Sequence, residues 1–169
     1  MWSSCDGSPR SAWLGPSNFV DPTGPMLDEI LRRVAVRPAL VDVRPNNRGI
    51  TGIESLFWLQ GPGTQQFSES VAAFGISVVV TVDLAGVEWD FGDGTPVVRA
   101  GLGEAWPEHS SVRHAYTEAS GDTPYTVTAR LIFQPSYTVN GNLGAPLDPI
   151  VVPVEREYVV RQVQAVRQY

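Results

Sequence analysis

Alternating apolar residues are the feature that most constrains this fold. In ISVVVTVDL, residues 76 to 84, an apolar side chain recurs at every second position, and VEWDF, residues 87 to 91, continues the alternation. A period of two places successive side chains on opposite faces of a β-strand. We therefore predict that the inward-facing side chains of the second stretch are those of Val87, Trp89 and Phe91. The GDG that follows tolerates positive φ and predicts a reversal of the chain.

Further β-strands are predicted along most of the chain. The segment IESLFWL, residues 53 to 59, is apolar on both sides and is expected in the middle of a sheet. VNGNLG, residues 139 to 144, is expected to form a loop or a hairpin tip. The last segment, from residue 150, also fits a helical stripe, but its valines and Pro153 favour a strand. The other predicted strands are 39–43, 67–74 and 125–133.

One helix and one irregular arm complete the predicted elements. PMLDEILRRV, residues 25 to 34, has its apolar residues at helical spacing, and Thr23 and Gly24 are suited to cap it. Residues 1–24 are rich in Ser, Gly and Pro and have no period. We predict that they form an arm that lies across the domain, because burial of a few large side chains can pin such a segment. Its expected anchors are Trp2, Trp13 and Phe19.

The composition favours a single domain with many turns. A chain of 169 residues can bury one core, and its 16 glycines and 14 prolines favour turns over long helices. Short strands separated by turns indicate an all-β antiparallel sandwich. The net charge of -6 argues against a nucleic-acid or anionic-membrane partner. No apolar run of the length of a membrane span is visible, and the single Cys5 excludes an internal disulfide.

The motif WDFGDGT, followed about twenty residues later by HAY and then by YTVT, resembles the PKD domain, an immunoglobulin-like module named for polycystic kidney disease. The resemblance covers about residues 68–134 and implies an Ig-like antiparallel β-sandwich of PKD type, here with extra flanking strands. The sequence departs from the family pattern at 122–124 and in the long segment 97–111, both in predicted loops. The resemblance implies structural roles for Trp89, Phe91, Gly92, Gly94, His114, Tyr116 and Tyr125.

The flanks carry a second resemblance. RGITGIESLFWLQGP before the core and YVVRQVQAV after it resemble extensions in secreted PKD-containing proteins of actinobacteria and related Gram-positive lineages. This resemblance implies a secreted or cell-surface location. It also assigns residues 25–169 to one PKD-like sandwich that includes the short helix, preceded by the arm 1–24.

Asp90 and Asp93 are the candidates for carboxylate chemistry. Each can hold its turn by a hydrogen bond to the nearby backbone. The resemblance implies an alternative, because some PKD domains of secreted collagenases bind Ca²⁺. Calcium takes about six to eight oxygen ligands, which backbone carbonyls and Asp83 or Asp122 would have to complete. No other cofactor is predicted.

Trp58 and Trp106 are the candidates for a binding surface. Trp58 lies on the strand face opposite Phe57, and Trp106 lies in the long loop GLGEAWPEHS. Aromatic side chains on a sandwich surface can stack on sugars or anchor a protein partner. In the alternative, the amino-terminal arm buries Trp58, and Trp106 covers a sheet edge.

These features predict a non-catalytic interaction or structural module that acts outside the cell through a protein or carbohydrate partner, or through self-association. The sequence contains no HExxH, GxSxG or phosphate-binding motif, so no enzyme activity is predicted. Two alternatives stay open. One is a subunit of an extracellular filament or appendage, in which the arm pairs with the sheet edge of the next copy. The other is an accessory domain of a secreted hydrolase.

Overall fold

The computed structural model describes residues 23–35, 39–46, 48–73 and 75–163. Within these residues the chain is mostly β-structure with one short α-helix, which confirms the predicted all-β class. The elements in chain order are α1 (Thr23–Ala35), β1 (Leu40–Arg44), β2 (Gly49–Ile50), β3 (Glu54–Gln60), a 3₁₀ turn (Pro62–Thr64), β4 (Phe67–Ala73), β5 (Ile76–Asp90), β6 (Val98–Ala100), β7 (Val112–Ala115), β8 (Tyr125–Val139), β9 (Asn142–Leu143), β10 (Ile150–Tyr158) and β11 (Val160–Arg161).

Two antiparallel sheets form the layers of a sandwich. The larger sheet has the strand order β10-β8-β5-β4, with β6 paired to β5 and β9 paired to β8. The smaller sheet has the order β1-β3-β7, so β3 is central, as its double-sided apolar sequence predicts. A short parallel pair joins β2 to β11. The predicted antiparallel sandwich with extra strands is therefore present.

The core lies between the two sheets. The ring of Phe57, from the smaller sheet, lies with its centroid 6.3 Å from Trp89, 5.2 Å from Phe91 and 5.6 Å from Tyr158. The predicted alternation along the end of β5 is present, since Val87, Trp89 and Phe91 are all buried. Large aromatic side chains dominate the energetics of a core, so this cluster fixes how the two sheets face each other.

Strand β5 is longer than the sequence suggested. The two predicted stretches, 76–84 and 87–91, join in one strand that ends at Asp90 and pairs with β8 over most of its length. The register shifts between Leu84 and Gly86, which marks a bulge. Leu84 and Val87 are three positions apart, so an uninterrupted strand would direct them to opposite faces. The bulge adds one residue and keeps both alternating patterns facing the core.

Helix α1 packs against β4 and β5 of the larger sheet. It begins at Thr23, before the predicted start at residue 25, so Thr23 and Gly24 belong to its first turn and not to a separate cap. Ile30 is fully buried, and Leu27 and Leu31 are partly buried against the core. The helix therefore covers apolar surface of the larger sheet.

Two predictions near the carboxyl-terminal side are confirmed. The segment from residue 150 forms β10, antiparallel to β8, and not a helix. Residues 139–144 form the tip of the β8–β9 hairpin. There Asn140 and Gly141 have φ values of 50° and 82°, and two successive positive values are typical of a tight hairpin turn.

Most of the predicted amino-terminal arm lies outside the described residues. This applies to its expected anchors, Trp2, Trp13 and Phe19, and to Cys5. The expectation that the arm lies across the sandwich therefore stays a prediction.

Candidate functional site

The turn that follows β5 is held by its two aspartates. Asp90 Oδ1 accepts a hydrogen bond from the backbone N–H of Gly92 at 3.0 Å. Asp93 Oδ1 accepts hydrogen bonds from the backbone N–H and the hydroxyl of Thr95 at 3.2 and 2.6 Å. Gly92 and Gly94 have φ values of 76° and 81°. A Cβ on Gly92 would lie 2.5 Å from a β8 carbonyl oxygen, so this position requires glycine.

His114 connects this turn to the core. Its Nε2 lies 2.7 Å from Asp93 Oδ2, and both side chains are largely buried. The imidazole stacks on Phe91 with ring centroids 4.2 Å apart, and Tyr116 meets it edge-on at 4.6 Å. Burial by itself would raise the pKa of Asp93, but hydrogen bonds from Thr95 and His114 outweigh it, and the pKa is lowered.

Tyr116 and Tyr125 extend this aromatic cluster. Their rings stack with centroids 4.9 Å apart, and both hydroxyls donate to backbone carbonyl oxygens. The acceptors are Phe91, at 3.2 Å from the Tyr116 hydroxyl, and Glu118, at 3.3 Å from the Tyr125 hydroxyl. Burial raises the pKa of Tyr116 far above its ordinary value, so this hydroxyl stays a neutral donor.

The carboxylates proposed for Ca²⁺ are already used by protein donors. Asp93 accepts bonds on both oxygens, and Asp90 accepts one bond from Gly92 while its second oxygen lies 3.8 Å from the guanidinium of Arg130. Within the described residues there is no group of three or more His, Cys, Asp or Glu side chains that could hold a metal ion. A calcium ion at this turn would compete with these donors for the carboxylate oxygens.

Trp58 lies on the outer face of the smaller sheet. Phe57 points into the core, so the alternation of the strand directs Trp58 to the other face. Trp58 is nevertheless only 7% exposed, and its indole Nε1 is buried. This Nε1 makes no hydrogen bond with the described part of the chain. Most buried polar groups in proteins are paired, so an unpaired indole N–H requires an explanation.

Trp106 lies over Arg44 on the same side of the molecule. The guanidinium carbon of Arg44 is 4.6 Å from the centroid of the Trp106 ring, which is a cation–π contact. Arg44 pairs with Leu56, two positions before Trp58, so it projects from the same outer face. Trp106 is 50% exposed. We call the surface formed by Trp58, Trp106 and Arg44 the Trp58–Trp106 face.

The loop that carries Trp106 is bonded to the sandwich at its start. The indole Nε1 of Trp89, in the core, donates to the carbonyl oxygen of Gly101 at 3.1 Å. The backbone N–H of Leu59 donates to the carbonyl oxygen of Leu102 at 2.8 Å. Gly103 has a φ of 75°, and a Cβ there would lie 2.3 Å from a β3 carbonyl oxygen. The loop can approach β3 this closely because glycine lacks a side chain.

Ser110 holds the end of the loop. Its buried hydroxyl donates to the carbonyl oxygen of Phe57 and accepts from the backbone N–H groups of Glu104 and Val112, at 3.2 and 3.1 Å. The carboxylate of Glu104 accepts a bond from the backbone N–H of Ser111, and this bond lowers the pKa of Glu104. Both ends of the loop are therefore fixed on the sandwich.

The path of the loop explains how Trp106 reaches Arg44. Leu102 and Ser110 lie beside β3 on its β7 side, whereas Arg44 belongs to β1 on the opposite side. The segment from Gly103 to Trp106 therefore passes over the outer face of β3. Trp58 projects from this same face.

The structure places the sequence-predicted residues in two separate groups. Asp90, Asp93, His114, Tyr116 and Tyr125 meet at the turn after β5. Trp58 instead projects from the outer face of the smaller sheet, and Trp106 contacts Arg44, which projects from the same face. The sequence did not indicate Arg44 or Ser110 as members of the second group. For Arg44, the only sequence feature that could have indicated this role is its outward position at the end of a predicted strand. For Ser110, a serine in a predicted loop, no sequence feature indicates it.

Comparisons with protein-family models, curated proteins and solved structures find no significant match. Among the described residues, no helix is both long and apolar enough to cross a membrane.

Proposed function

We propose that this chain is a PKD-type domain that acts outside the cell as a non-catalytic interaction module, with the Trp58–Trp106 face as its contact surface. The observation that carries the proposal is the position of Trp106. Its side chain is 50% exposed and stacks on Arg44, and both ends of the loop that carries it are bonded to the sandwich. A large aromatic side chain on a loop that is anchored at both ends to a rigid scaffold is suited to bind a ligand.

The PKD assignment rests on the motif residues and their arrangement in the turn. Asp93, His114 and Phe91 connect the WDFGDG turn to the core, and Trp89 joins the core to the loop of Trp106. These are structural roles of the kind that the resemblance implies. They also connect the motif to the proposed contact surface.

The non-catalytic part of the proposal rests on how the polar side chains are used. Asp93 and His114 form the most suggestive acid–base pair in the described chain, at 2.7 Å. Both are largely buried, and Asp93 also accepts two bonds from Thr95. A general acid or base must come within hydrogen-bond distance of the substrate, whereas both oxygens of this carboxylate accept bonds from the turn and from His114.

The test is binding of the full chain to the envelope of the cells that produce it. Labelled protein is incubated with intact cells and with isolated envelope fragments, and the bound fraction is measured after sedimentation. We expect binding that Trp106→Ala reduces strongly. Leu143→Ala is the matched control, because Leu143 is 80% exposed but belongs to the β8–β9 hairpin of the other sheet. Equal binding of both variants and the parent chain would contradict the proposed contact surface.

A filament subunit is the second candidate, and the edge strand β4 favours it. Among the described strands, β4 is the last of the larger sheet and runs from Phe67 to Ala73 without a proline, whereas the opposite edge strand β10 contains Pro153. An edge strand without proline is a template for pairing with another chain. Light scattering over a range of concentrations separates the candidates, because a subunit assembles as the concentration rises and a monomeric binder does not.

A further inference from the structure

We propose that the ligand of the Trp58–Trp106 face is a neutral glycan, whose ring stacks on Trp106 and whose hydroxyl oxygens accept hydrogen bonds from Trp58 Nε1 and Arg44. This proposal rests on the proposed function and assigns a chemical class to its ligand. Three features support it: the unpaired N–H of Trp58, the exposed ring of Trp106, and Arg44, for which the described chain provides no carboxylate partner.

The unpaired indole N–H of Trp58 indicates a missing acceptor. The side chain is 7% exposed and its Nε1 makes no hydrogen bond with the described residues. Trp89, also buried among the described residues, gives the comparison, because its Nε1 donates to the carbonyl oxygen of Gly101 at 3.1 Å. A ligand oxygen would satisfy the donor of Trp58 and recover the desolvation cost of leaving it unpaired.

Arg44 supplies further donors at this face. Two neighbouring arginines are ion-paired, Arg113 with Glu54 at 3.5 Å and Arg156 with Asp42 at 2.8 Å. For Arg44, the described chain provides the stacking contact with Trp106 and no carboxylate partner. Stacking uses the flat face of a guanidinium and leaves the in-plane N–H groups free to donate.

The middle of the loop is less strongly bonded than its ends. Between the fixed ends, the described contacts are the turn bond from Glu108 N–H to the Ala105 carbonyl, at 3.1 Å, and the stacking of Trp106 on Arg44. A displacement of this middle segment would break few bonds, and a ligand needs such a displacement to reach Trp58 Nε1, which is buried. The structure therefore combines a fixed frame with a displaceable aromatic side chain.

A neutral glycan fits these groups better than a polyanion or an extended peptide. A pyranose ring has an apolar C–H face for Trp106 and hydroxyl acceptors for the two donors. A polyanion would meet the unfavourable field of a chain with net charge -6. A peptide that adds a strand needs an open edge, and on β1 Arg156 already bonds the Val41 carbonyl and Asp42.

The test measures binding of soluble neutral hexasaccharides of glucose, mannose, xylose and N-acetylglucosamine to the full chain by calorimetry, with polygalacturonate as the anionic comparison. We expect at least one neutral hexasaccharide to bind. Trp106→Ala should weaken that binding about tenfold, the upper range of one aromatic stacking contact. Trp58→Phe should weaken it by about fivefold, because it removes a single hydrogen-bond donor and keeps an aromatic, though smaller, side chain.

Thermal melting distinguishes a ligand contact from a structural role for Trp58. Because the N–H is unpaired without ligand, Trp58→Phe loses no hydrogen bond, and it should lower the melting temperature only by the effect of the smaller buried ring. Leu143→Ala is the affinity control and should bind as the parent chain does. A Trp58→Phe variant that melts lower and binds with the parent affinity contradicts the assigned role of the N–H.

The outcome for the glycan can be separated from the outcome for the proposed function. If cell envelopes bind the chain through Trp106, but no neutral hexasaccharide binds and protease treatment of the envelopes removes binding, the module has a protein partner and the glycan assignment is wrong. Binding of polygalacturonate alone, with strong dependence on salt, also overturns it. Loss of envelope binding after periodate oxidation, but not after protease, supports it.

Discussion

At the scale of single residues, Gly49 is constrained by the ring of Tyr158. A Cβ on Gly49 would lie 2.9 Å from the Tyr158 ring and hydroxyl and 3.2 Å from the Ser55 hydroxyl. The Tyr158 hydroxyl is itself bonded to Ser55 at 2.9 Å and to the Pro45 carbonyl at 3.1 Å, so the ring cannot move away freely. We expect Gly49→Ala to lower the free energy of unfolding by about 1–3 kcal/mol, the usual cost of overpacking.

Denaturation in urea measures this change, and Gly101→Ala is the matched control. No atom lies within 4 Å of a Cβ built on Gly101, so its replacement should have little effect. Equal losses of stability in the two variants would show that the close approach at Gly49 does not matter.

Asp93 gives the second prediction at this scale, which concerns pH. Its pKa in the folded state is lowered from 3.8, because the bonds from Thr95 and His114 outweigh burial. A lowered folded pKa contributes stability that is present above the unfolded pKa and is lost as the pH falls through the folded pKa. At pH 7 we expect Asp93→Asn to unfold more easily than the parent chain by about 1–2 kcal/mol.

The difference should persist at pH 5 and narrow below about pH 4, where the carboxyl group of the unfolded chain becomes protonated. Urea denaturation of both chains at several pH values measures it. Asp148→Asn serves as control, because Asp148 is exposed and follows the β8–β9 hairpin. A difference that grows as the pH falls below 4 would falsify the assigned direction.

At the scale of elements, the loop that carries Trp106 depends on one hydroxyl. Ser110 is fully buried and bonds Phe57, Glu104 and Val112. Ser110→Ala leaves these backbone groups unpaired, and we expect a loss of about 2–3 kcal/mol of unfolding free energy. Because the end of the loop is released, quenching of tryptophan fluorescence by iodide should also increase.

Ser136→Ala is the control for this loop. The Ser136 hydroxyl is exposed and makes one long bond of 3.4 Å to the Thr81 carbonyl. It should change neither the stability nor the quenching by a measurable amount. If Ser110→Ala behaves in the same way, the other bonds of the loop, such as those from Trp89 and Leu59, are sufficient to hold it.

The turn after β5 gives a further prediction at this scale. Its aspartates are bonded to protein donors, so we expect thermal melting in a chelator and in ~10 mM Ca²⁺ to give the same midpoint. Extracellular calcium modules have a Kd on the order of 10⁻⁴–10⁻³ M, so a real site would be occupied and would raise the midpoint. A clear rise in Ca²⁺, absent in an Asp90→Asn variant, would establish the calcium site instead.

At the scale of the whole molecule, local alternation was sufficient to predict most strands but not how they join. The period of two in β5 indicated which side chains are buried, because burial on one face of a strand is a local property. The continuity of β5 through the bulge between Leu84 and Gly86 depends on its pairing with β8. A local sequence pattern holds no information about such pairing.

The candidate face was predicted only in part, for the same reason. Trp58 and Trp106 were recognisable as large aromatics outside the core pattern, whereas the contact of Trp106 with Arg44 depends on a loop path fixed by Gly103 and Ser110. The unpaired N–H of Trp58 is likewise a consequence of tertiary packing. Contacts between distant segments require the assembled sandwich.

The parallel pairing of β2 and β11 has a mechanical consequence. Backbone bonds join Gly49 to Val159 at 2.8 Å and Thr51 to Arg161 at 3.0 Å, and Ser120 bonds Val160 from the other side at 2.9 Å. A tension that pulls the segment before β2 away from the segment after β11 slides these parallel strands along each other. Their bonds are then loaded together in shear, whereas an antiparallel hairpin pulled from its open end separates one bond at a time. The two residues of β11 therefore resist such a tension through bonds that must break together.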